Sequence, residues 1–289
     1  MPLSSFFDRS FFRGQPKSEA TKVAKDADLA IELERANAEI ADLRRRLSYW
    51  EDRGPPTYDA DHLTTWHKIP DFMRDERFRS AYRRGMDSGH AIGRPRNNRD
   101  DIHIEWRIAV CCWAAWHATR LPGDFVECGT NTGIMSLAVC EYVDFNVTGK
   151  RFFLFDTYSG IPPSQINPEE EALNRAAENV QYFDCFETAK ANFSAWPKCE
   201  LIRGLIPDTL AMDPSREVAY LSIDMNIAMP EQAAMHHFWP KLTRGAVVIL
   251  DDYGWTQYYP QKQQHDEFAR QQGVEILMLP TGQGMMIKP

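Results

Sequence analysis

The sequence predicts an α/β fold in which a mostly parallel sheet is closed by a C-terminal antiparallel hairpin and preceded by an N-terminal helical extension. Short β-type runs alternate with amphipathic stretches from residue 122 onward, which is the pattern of βαβ crossovers. Two glycines four residues apart follow the first run, and a glycine-bearing turn separates the last two runs. A chain of 289 residues has room for one such domain with extensions.

The first 56 residues are predicted to form a polar tail and one coiled-coil-like helix. One stripe of this helix is apolar, with members in alternating steps of four and three: Leu29, Leu33, Ala36, Ile40, Leu43, Leu47 and Trp50. This heptad spacing predicts a short coiled coil and therefore a homo-oligomer. An amphipathic helix packed on its own domain would give the same three heptads, so both interpretations stay open. Gly54-Pro55-Pro56 then ends the helix.

Residues 57–120 are predicted to form a helical cap, and residues 121–289 the domain that carries the sheet. Large apolar residues concentrate between Ile104 and Trp116, so we expect this helix to cover the sheet or the mouth of a site. The predicted strands are Phe125–Cys128, Phe152–Phe155, Glu200–Ile202, Val218–Ile223, Ala246–Leu250, Val274–Leu279 and Met285–Lys288. The last two flank the turn from Thr281 to Gly284, which predicts the hairpin.

Composition narrows the function classes. A net charge of −8 argues against the basic surface that nucleic-acid binding needs. We find no apolar run near the roughly 18 residues of a membrane span, and the N-terminus lacks the apolar run of a signal peptide. The six cysteines form no CxxC pair, so we interpret them as small buried apolar residues. A cytoplasmic location is therefore expected.

The turn after the first strand is the predicted cofactor site. Glu127 lies near the end of this strand, and Gly129, Thr130, Asn131 and Gly133 follow it into a helix. Glycines in such a turn let backbone amides approach a ligand closely. The charge of Glu127 repels a pyrophosphate but suits the cationic methionine portion of S-adenosylmethionine. A methyl donor is therefore favoured over NAD.

The second strand ends at Asp156, about 20 residues past the glycine turn, where an acidic side chain can hydrogen-bond both hydroxyls of a ribose. We therefore assign Asp156 and its neighbour Thr157 to the donor site. The alternative is that Asp156 caps the turn from Thr157 to Gly160. Its position beside Glu127 and the two glycines favours the ribose role.

Carboxylates end two later strands and predict a metal site. Asp224 follows Val218–Ile223 together with Asn226, and Asp251 and Asp252 follow Ala246–Leu250. Because the ends of adjacent parallel strands converge on one crevice, these three carboxylates should lie close together. Clustered anions become tolerable when a divalent cation neutralises them, and oxygen ligands suit Mg²⁺ best, with Ca²⁺ or Mn²⁺ as alternatives.

A bound metal would also help to activate a hydroxyl group for methyl transfer. An alcohol is a poor nucleophile toward a sulfonium methyl group, whereas a hydroxyl on a metal loses its proton more easily. We predict Asp224 as the carboxylate that both coordinates the metal and accepts this proton. His265, on the predicted helix after the fifth strand, is the alternative base, and a solvated position on the helix surface is an equal interpretation.

Four motifs in order resemble the macrocin O-methyltransferase (TylF/MycF) family: PGDFVECGTNTG from Pro122, FDTYSGIP from Phe155, LSIDMN from Leu221 and GAVVILDDYGW from Gly245. The resemblance covers roughly residues 100–289. It implies a Rossmann-like class I methyltransferase fold with a seven-stranded sheet, and a Mg²⁺-requiring enzyme that uses S-adenosylmethionine to methylate hydroxyls, typically on deoxysugars.

The resemblance also implies residue roles. Asp224, Asp251 and Asp252 would hold the metal, Glu127 and Asp156 would lie at the donor, and Asp224 would be the general base. The chain departs from the family in three features. Its turn reads Gly-Thr-Asn-Thr-Gly, Asp224-Met-Asn226 stands where the family has Asp-Gly-Asp, and the coiled-coil-like N-terminus is not part of the family pattern. A sugar within a polysaccharide or glycolipid is thus as plausible an acceptor as an antibiotic.

Two other classes of function compete with this prediction. A non-catalytic scaffold would bind S-adenosylmethionine and be recruited through the N-terminal coiled coil, but it has no need for clustered buried anions. An NAD-dependent oxidoreductase is opposed by the charge of Glu127 beside the glycine turn. The sequence therefore favours an O-methyltransferase.

Overall fold

A computed structural model describes residues 17–51, 53–92 and 99–289, with side chains from residue 28 onward in these ranges except residue 50. The polar tail predicted before residue 17 lies outside the described residues. The chain divides into two units, Met1–Pro56 and Thr57–Pro289. In the described part of the chain, no helix is both long and apolar enough to cross a membrane.

The described elements are named in chain order. The α-helices are α1 Lys17–Glu51, α2 Glu76–Met86, α3 Glu105–Ala118, α4 Ile134–Tyr142, α5 Pro168–Ala172, α6 Phe186–Asn192, α7 Ala228–Phe238 and α8 Tyr259–Gln272. The strands are β1 Tyr58–Ala60, β2 Leu63–Thr65, β3 Asp124–Cys128, β4 Phe152–Asp156, β5 Cys199–Arg203, β6 Val218–Ile223, β7 Leu242–Leu250, β8 Leu277–Met278 and β9 Gly284–Ile287. Short 3₁₀ turns are Asp71–Arg74, Phe145–Val147, Pro163–Gln165, Arg175–Gln181, Phe193–Ala195, Asp208–Met212, Trp239–Lys241 and Thr256–Tyr258.

The first unit contains the predicted N-terminal helix, which runs for 35 residues. Its heptad stripe faces solvent: the side chains of Leu29, Leu33, Ile40, Leu43 and Leu47 are 46–66% exposed. The side chain of Trp50 lies outside the described residues. The stripe is therefore available to another surface along most of its length.

The second unit is built on a seven-stranded sheet with the order β5-β4-β3-β6-β7-β9-β8. Strands β3 to β7 pair in parallel, whereas β9 pairs antiparallel with both β7 and β8. The predicted parallel sheet with a C-terminal antiparallel hairpin is confirmed. The chain winds outward from β3 in one direction to β5 and then crosses back to β6, so the switch point lies between β3 and β6.

Helices cover both faces of this sheet, which explains the nearly continuous apolar runs of its strands. On β3, Phe125 packs into the core formed with α2, α3 and α4, whereas Val126 and Cys128 pack into the core formed with α7 and α8. All three side chains are fully buried. The helix predicted between Ile104 and Trp116 is α3, and it covers the sheet as expected.

One element was missed by sequence reasoning. The segment predicted as a helical cap also contains the antiparallel hairpin of β1 and β2. Asp61 and His62 form its turn with φ of 49° and 56°, the left-handed pair that a two-residue hairpin requires. Neither residue is the glycine that usually marks such a turn, and each strand has only three residues, so the periodicity was too short to detect.

Gly129 lets the ends of β3 and β6 approach each other. Its φ is +95°, and a Cβ atom there would lie 1.7 Å from the backbone oxygen of Asp224. No side chain fits this gap, so the glycine is required by contact as well as by conformation. The two strand ends that flank the switch point are therefore in direct backbone contact.

We expect Gly129→Ala to lower the free energy of unfolding by more than about 3 kcal/mol, because relieving the clash must separate β3 from β6. Urea denaturation of the purified variant measures this loss. Gly149→Ala is the matched control, since Gly149 also has a positive φ of +77° but open space around a Cβ. The control should lose only about 1 kcal/mol. Equal losses in the two variants would contradict the close approach.

Candidate active site

A cavity of about 290 Å³ opens at the carboxyl ends of β3, β4, β6 and β7. This volume is close to the lower end for small-molecule sites. The polar members of its lining are Arg107, Glu127, Thr130, Asn131, Asp156, Thr157, Gln165, Gln181, Tyr182, Asp224, Asn226, Asp251, Asp252 and Tyr258. Its position beside the switch point is where ligands bind in open α/β sheets.

Nearly all of the predicted donor residues line this cavity. Glu127, Gly129, Thr130, Asn131, Asp156 and Thr157 do so. Gly133 is not among the lining residues, and instead it precedes α4 with a φ of +99°. A Cβ atom on Gly133 would lie 2.7 Å from the ring of Phe193, so this glycine serves helix packing.

Glu127 is a buried carboxylate with a free oxygen. The residue is 2% exposed, and its Oε2 has no hydrogen-bond partner among the described residues. Burial raises the pKa of Glu127 well above its usual value, although the nearby Ser136 hydroxyl acts in the opposite direction, and Asp224 and Asp156 raise it further. A buried oxygen without a partner is costly, and a cationic or hydrogen-bonding ligand would satisfy it.

Asp156 shows the capping role that was the alternative interpretation. Its Oδ2 accepts a hydrogen bond from the backbone N–H of Asn131 at 2.7 Å. Its Oδ1 accepts a hydrogen bond from the backbone N–H of Tyr158 at 2.5 Å. Burial raises the pKa of Asp156 although these N–H groups act in the opposite direction. The carboxylate thus fixes both the glycine turn and the turn after β4 while it lines the cavity.

The three predicted metal ligands lie together. Asp224, Asp251 and Asp252 each offer a carboxylate oxygen, and these oxygens all lie within 4.8 Å of one another. Burial and the neighbouring carboxylates raise the pKa of Asp224 and of Asp252 well above the usual range. The Oδ2 of Asp252 is buried and has no hydrogen-bond partner among the described residues.

Arg107 of α3 is the main residue that sequence reasoning missed here. Its Nη1 donates to Asp251 Oδ2 at 2.6 Å, and its Nε lies 3.2 Å from Asp61 Oδ2. Gln283 donates to the other oxygen of Asp251 at 2.9 Å. Asp251 is thus held at both oxygens. The available signal was a single arginine within the large apolar residues of α3.

The donor set fits a divalent cation. One guanidinium can offset only one of three carboxylate charges, and the raised pKa values of Asp224 and Asp252 reflect the repulsion that remains, which a bound cation would relieve. The donor atoms are all carboxylate oxygens, the ligands that Mg²⁺ and Ca²⁺ prefer. The unpartnered Oδ2 of Asp252 provides an oxygen free to bind.

His265 is not brought to this cluster. It is 2% exposed, and its Nε2 lies 2.8 Å from Oε2 of Glu231. Among the described residues that line the cavity, neither His265 nor Glu231 appears. His265 is therefore neither the solvated surface residue of one interpretation nor in contact with the cavity, as a base would be.

Tyrosine and amide side chains also line the cavity. Asn226, with a φ of 63°, donates to the hydroxyl oxygen of Tyr182 at 3.2 Å. Tyr258 donates to Glu178 at 3.2 Å. Tyr182 and Glu178 lie in the segment between β4 and α6, whose short turns left no periodic signal in the sequence. Hydroxyl and amide groups of this kind suit a hydroxylated ligand.

Comparisons with known proteins agree with this architecture. A family model described as macrocin-O-methyltransferase (TylF) matches residues 109–279, more than half of the chain. The structure of the O-methyltransferase NovP is similar with a TM-score of 0.58 at 19% identity, covering 72% of this chain and 87% of that one. This likeness concerns the fold, which is that of class I methyltransferases.

Two curated relatives match by sequence. One is the 8-demethyl-8-(2,3-dimethoxy-alpha-L-rhamnosyl)-tetracenomycin-C 4'-O-methyltransferase of Streptomyces olivaceus, 25% identical over 47% of this chain and 55% of the relative. The other is the mycinamicin III 3''-O-methyltransferase of Micromonospora griseorubida, 22% identical over 46% of this chain and 56% of the relative. The chain thus spans about half the length of the curated relatives it matches.

We expect Asp252→Asn to raise the melting temperature of the metal-free protein by about 2–4 °C, the shift that about 1 kcal/mol produces in a domain of this size. A carboxyl whose pKa is raised by folding destabilises the protein as it ionises, so stability falls as the pH rises above the ordinary carboxyl range. The amide removes this charge. Calorimetry in chelator at neutral pH measures the shift.

The control is Asp184→Asn, which changes an exposed carboxylate paired with Arg203 and should not raise the melting temperature. A lower melting temperature for Asp252→Asn than for the wild type would show that the carboxylate stabilises the fold.

Proposed function

Because the chain belongs to the macrocin-O-methyltransferase (TylF) family, we propose that it transfers a methyl group from S-adenosylmethionine to a hydroxyl of a sugar-like acceptor with the help of a divalent cation. The observation that carries this proposal is one cavity with an unpartnered Glu127 carboxylate near the glycine turn and three clustered aspartates beside it. Carboxyl groups at both places, which ionise more readily beside a cation, suit a sulfonium donor and a metal, and they disfavour a pyrophosphate cofactor.

The donor would lie over the turn after β3. Glycine at 129 leaves room for close approach, and Asp156 lies at the end of the neighbouring strand, where an acidic side chain reaches ribose hydroxyls. Glu127 would interact with the cationic methionine portion, which satisfies its free oxygen. In this proposal Asp156 shares its oxygens between the ribose and two backbone N–H groups.

Asp224, Asp251 and Asp252 would hold Mg²⁺, which when bound lowers the pKa of an acceptor hydroxyl and orients it. Asp224 is the proposed base, because its carboxylate belongs to the cluster that would hold the acceptor hydroxyl and can accept a proton there. The acceptor O–H proton passes to an oxygen of Asp224 while the acceptor oxygen forms a bond to the methyl carbon. The bond from carbon to sulfur breaks, and its electron pair stays on S-adenosylhomocysteine.

The acceptor class is proposed from the cavity and the relatives together. Asn226, Gln165, Gln181 and Tyr182 bring amide and hydroxyl groups into the lining, as a sugar would require. The two curated relatives are named for O-methylation of compounds that include a rhamnosyl tetracenomycin and mycinamicin III. A hydroxyl on a sugar, free or within a larger glycan or natural product, fits these observations.

The experiment combines calorimetric titration of S-adenosylmethionine, with and without Mg²⁺, and turnover on a panel of hydroxylated sugars. We expect turnover that chelator removes and Mg²⁺ restores. Asp224→Asn should lower turnover by about a hundredfold or more while donor affinity changes little, because the base and a metal ligand are lost but the donor end is intact.

Asp184→Asn serves as the control at an exposed aspartate. Donor binding with no metal dependence and no turnover on any acceptor would instead support the scaffold that only binds S-adenosylmethionine. S-adenosylhomocysteine retained through purification and detected by mass spectrometry would identify the donor directly.

We also propose a cytoplasmic location. All six cysteines are unpaired, and Cys140 Sγ lies 3.7 Å from Cys199 Sγ, well beyond the roughly 2.05 Å of a disulfide bond. Free thiols of this kind persist in a reducing compartment.

Self-association through α1 is a separate proposal. With Leu33, Ile40 and Leu47 at heptad position a, the apolar stripe would be buried between two parallel copies in register. Glu39 of one copy would then face Arg44 of the other, and Arg46 would face Glu51. Both pairs are complementary in charge, and all four residues are exposed. We therefore propose a homodimer held by α1.

Leu43→Glu should raise the dissociation constant of this dimer about a hundredfold or more, because it buries a charge in the apolar stripe. Light scattering coupled to size-exclusion chromatography measures the mass as a function of concentration. Ile31→Glu is the control, since Ile31 is 50% exposed but lies off the stripe. A wild-type chain that is monomeric at every concentration, or equal effects of both variants, would contradict the proposal.

A further inference from the structure

Glu231, on α7, is a buried carboxylate that does not line the cavity but hydrogen-bonds the backbone of a residue that does. It is 3% exposed, and its two oxygens have three partners. Oε1 accepts two hydrogen bonds, one from the backbone N–H of Met225 at 3.1 Å and one from Nε2 of Gln261 at 2.8 Å. Oε2 lies 2.8 Å from Nε2 of His265. One side chain thus links the loop after β6 to two buried residues of α8.

The loop that Glu231 holds carries functional side chains. Met225 follows Asp224 directly and precedes Asn226, and all three line the cavity. Asn226 has a φ of 63°, a left-handed conformation that few residues other than glycine adopt, although asparagine does so more readily than most. The hydrogen bond from Met225 N–H to Glu231 supplies support at the residue between Asp224 and Asn226.

The two residues of α8 hold Glu231 in turn. Gln261 and His265 are 1% and 2% exposed, so neither is positioned by solvent. A buried carboxylate with no donors would be strongly destabilised, and these two side chains provide donors from one helix. Their spacing of four residues places both on the same face of α8.

We infer that Glu231 is a positioning residue that fixes Asp224 and Asn226 at the cavity, and that His265 acts through Glu231 and not on the acceptor. The positioning of the loop by Glu231 is inferred from the three hydrogen bonds alone. The expected effect on catalysis rests on the proposed methyl transfer. His265, a candidate base from the sequence, thereby acquires a role at a distance from the reacting atoms.

The test compares Glu231→Ala, His265→Ala and His265→Gln with a control, Gln263→Ala, on the exposed face of the same helix. Three properties are measured in the full chain: the exchange rate of the Met225 amide by NMR, the affinity for Mn²⁺ by electron paramagnetic resonance, and kcat and KM for methyl transfer. Melting temperatures recorded in parallel report general destabilisation.

We expect Glu231→Ala to speed exchange of the Met225 amide at least about tenfold and to weaken Mn²⁺ binding about ten- to a hundredfold, with kcat falling and KM for S-adenosylmethionine unchanged. His265→Ala should act in the same direction. His265→Gln should restore Mn²⁺ affinity to within about threefold of the wild type, because glutamine can still donate to Glu231.

Wild-type amide exchange and Mn²⁺ affinity in Glu231→Ala would overturn the inference, and if that variant does not fold, the same result in His265→Ala would do so. A His265→Gln variant that binds Mn²⁺ normally but has no turnover would make His265 a base. Amide exchange does not depend on methyl transfer, so loss of the proposed function would leave that result intact.

Discussion

Mutual repulsion among three carboxylates at the ends of β6 and β7 is the constraint around which the site is organised. Parallel pairing brings these strand ends together, and the burial of Asp251 and Asp252 limits how far water can screen the charges. The protein offsets the repulsion in part with Arg107 from α3. All three carboxylates line the cavity, where a cation would relieve the repulsion that remains.

Backbone contacts set where the aspartates lie relative to the glycine turn. The absence of a Cβ at Gly129 allows β3 to touch the backbone of Asp224, so Glu127 and the aspartates share one cavity. Asp156 extends the arrangement by binding backbone N–H groups from two turns. The glycine turn and the aspartate cluster therefore lie along one edge of the sheet.

The features that could be predicted from sequence are those with a local pattern. Apolar runs ending in an acidic residue gave the strands and the positions of Glu127, Asp156 and the three aspartates, because parallel strands deliver their ends to one edge. The partners of those residues come from distant segments. Arg107 reaches Asp251 across 144 positions of the chain, and no periodicity records such a contact. His265 illustrates the same limit of sequence reasoning. Its position on a predicted helix suggested a base or a surface residue, whereas in the structure it is a buried partner of Glu231.

Arg107 also affects how the charge of the carboxylates is balanced during folding. A cation built into the chain is present as soon as α3 docks on the sheet, whereas a dissolved ion must be captured from the surroundings. Ion pairing with Asp251 and Asp61 means that part of the anionic charge is balanced at the moment of folding. Folding of the chain therefore does not have to await an external ion, and any later binding of a cation is a separate event.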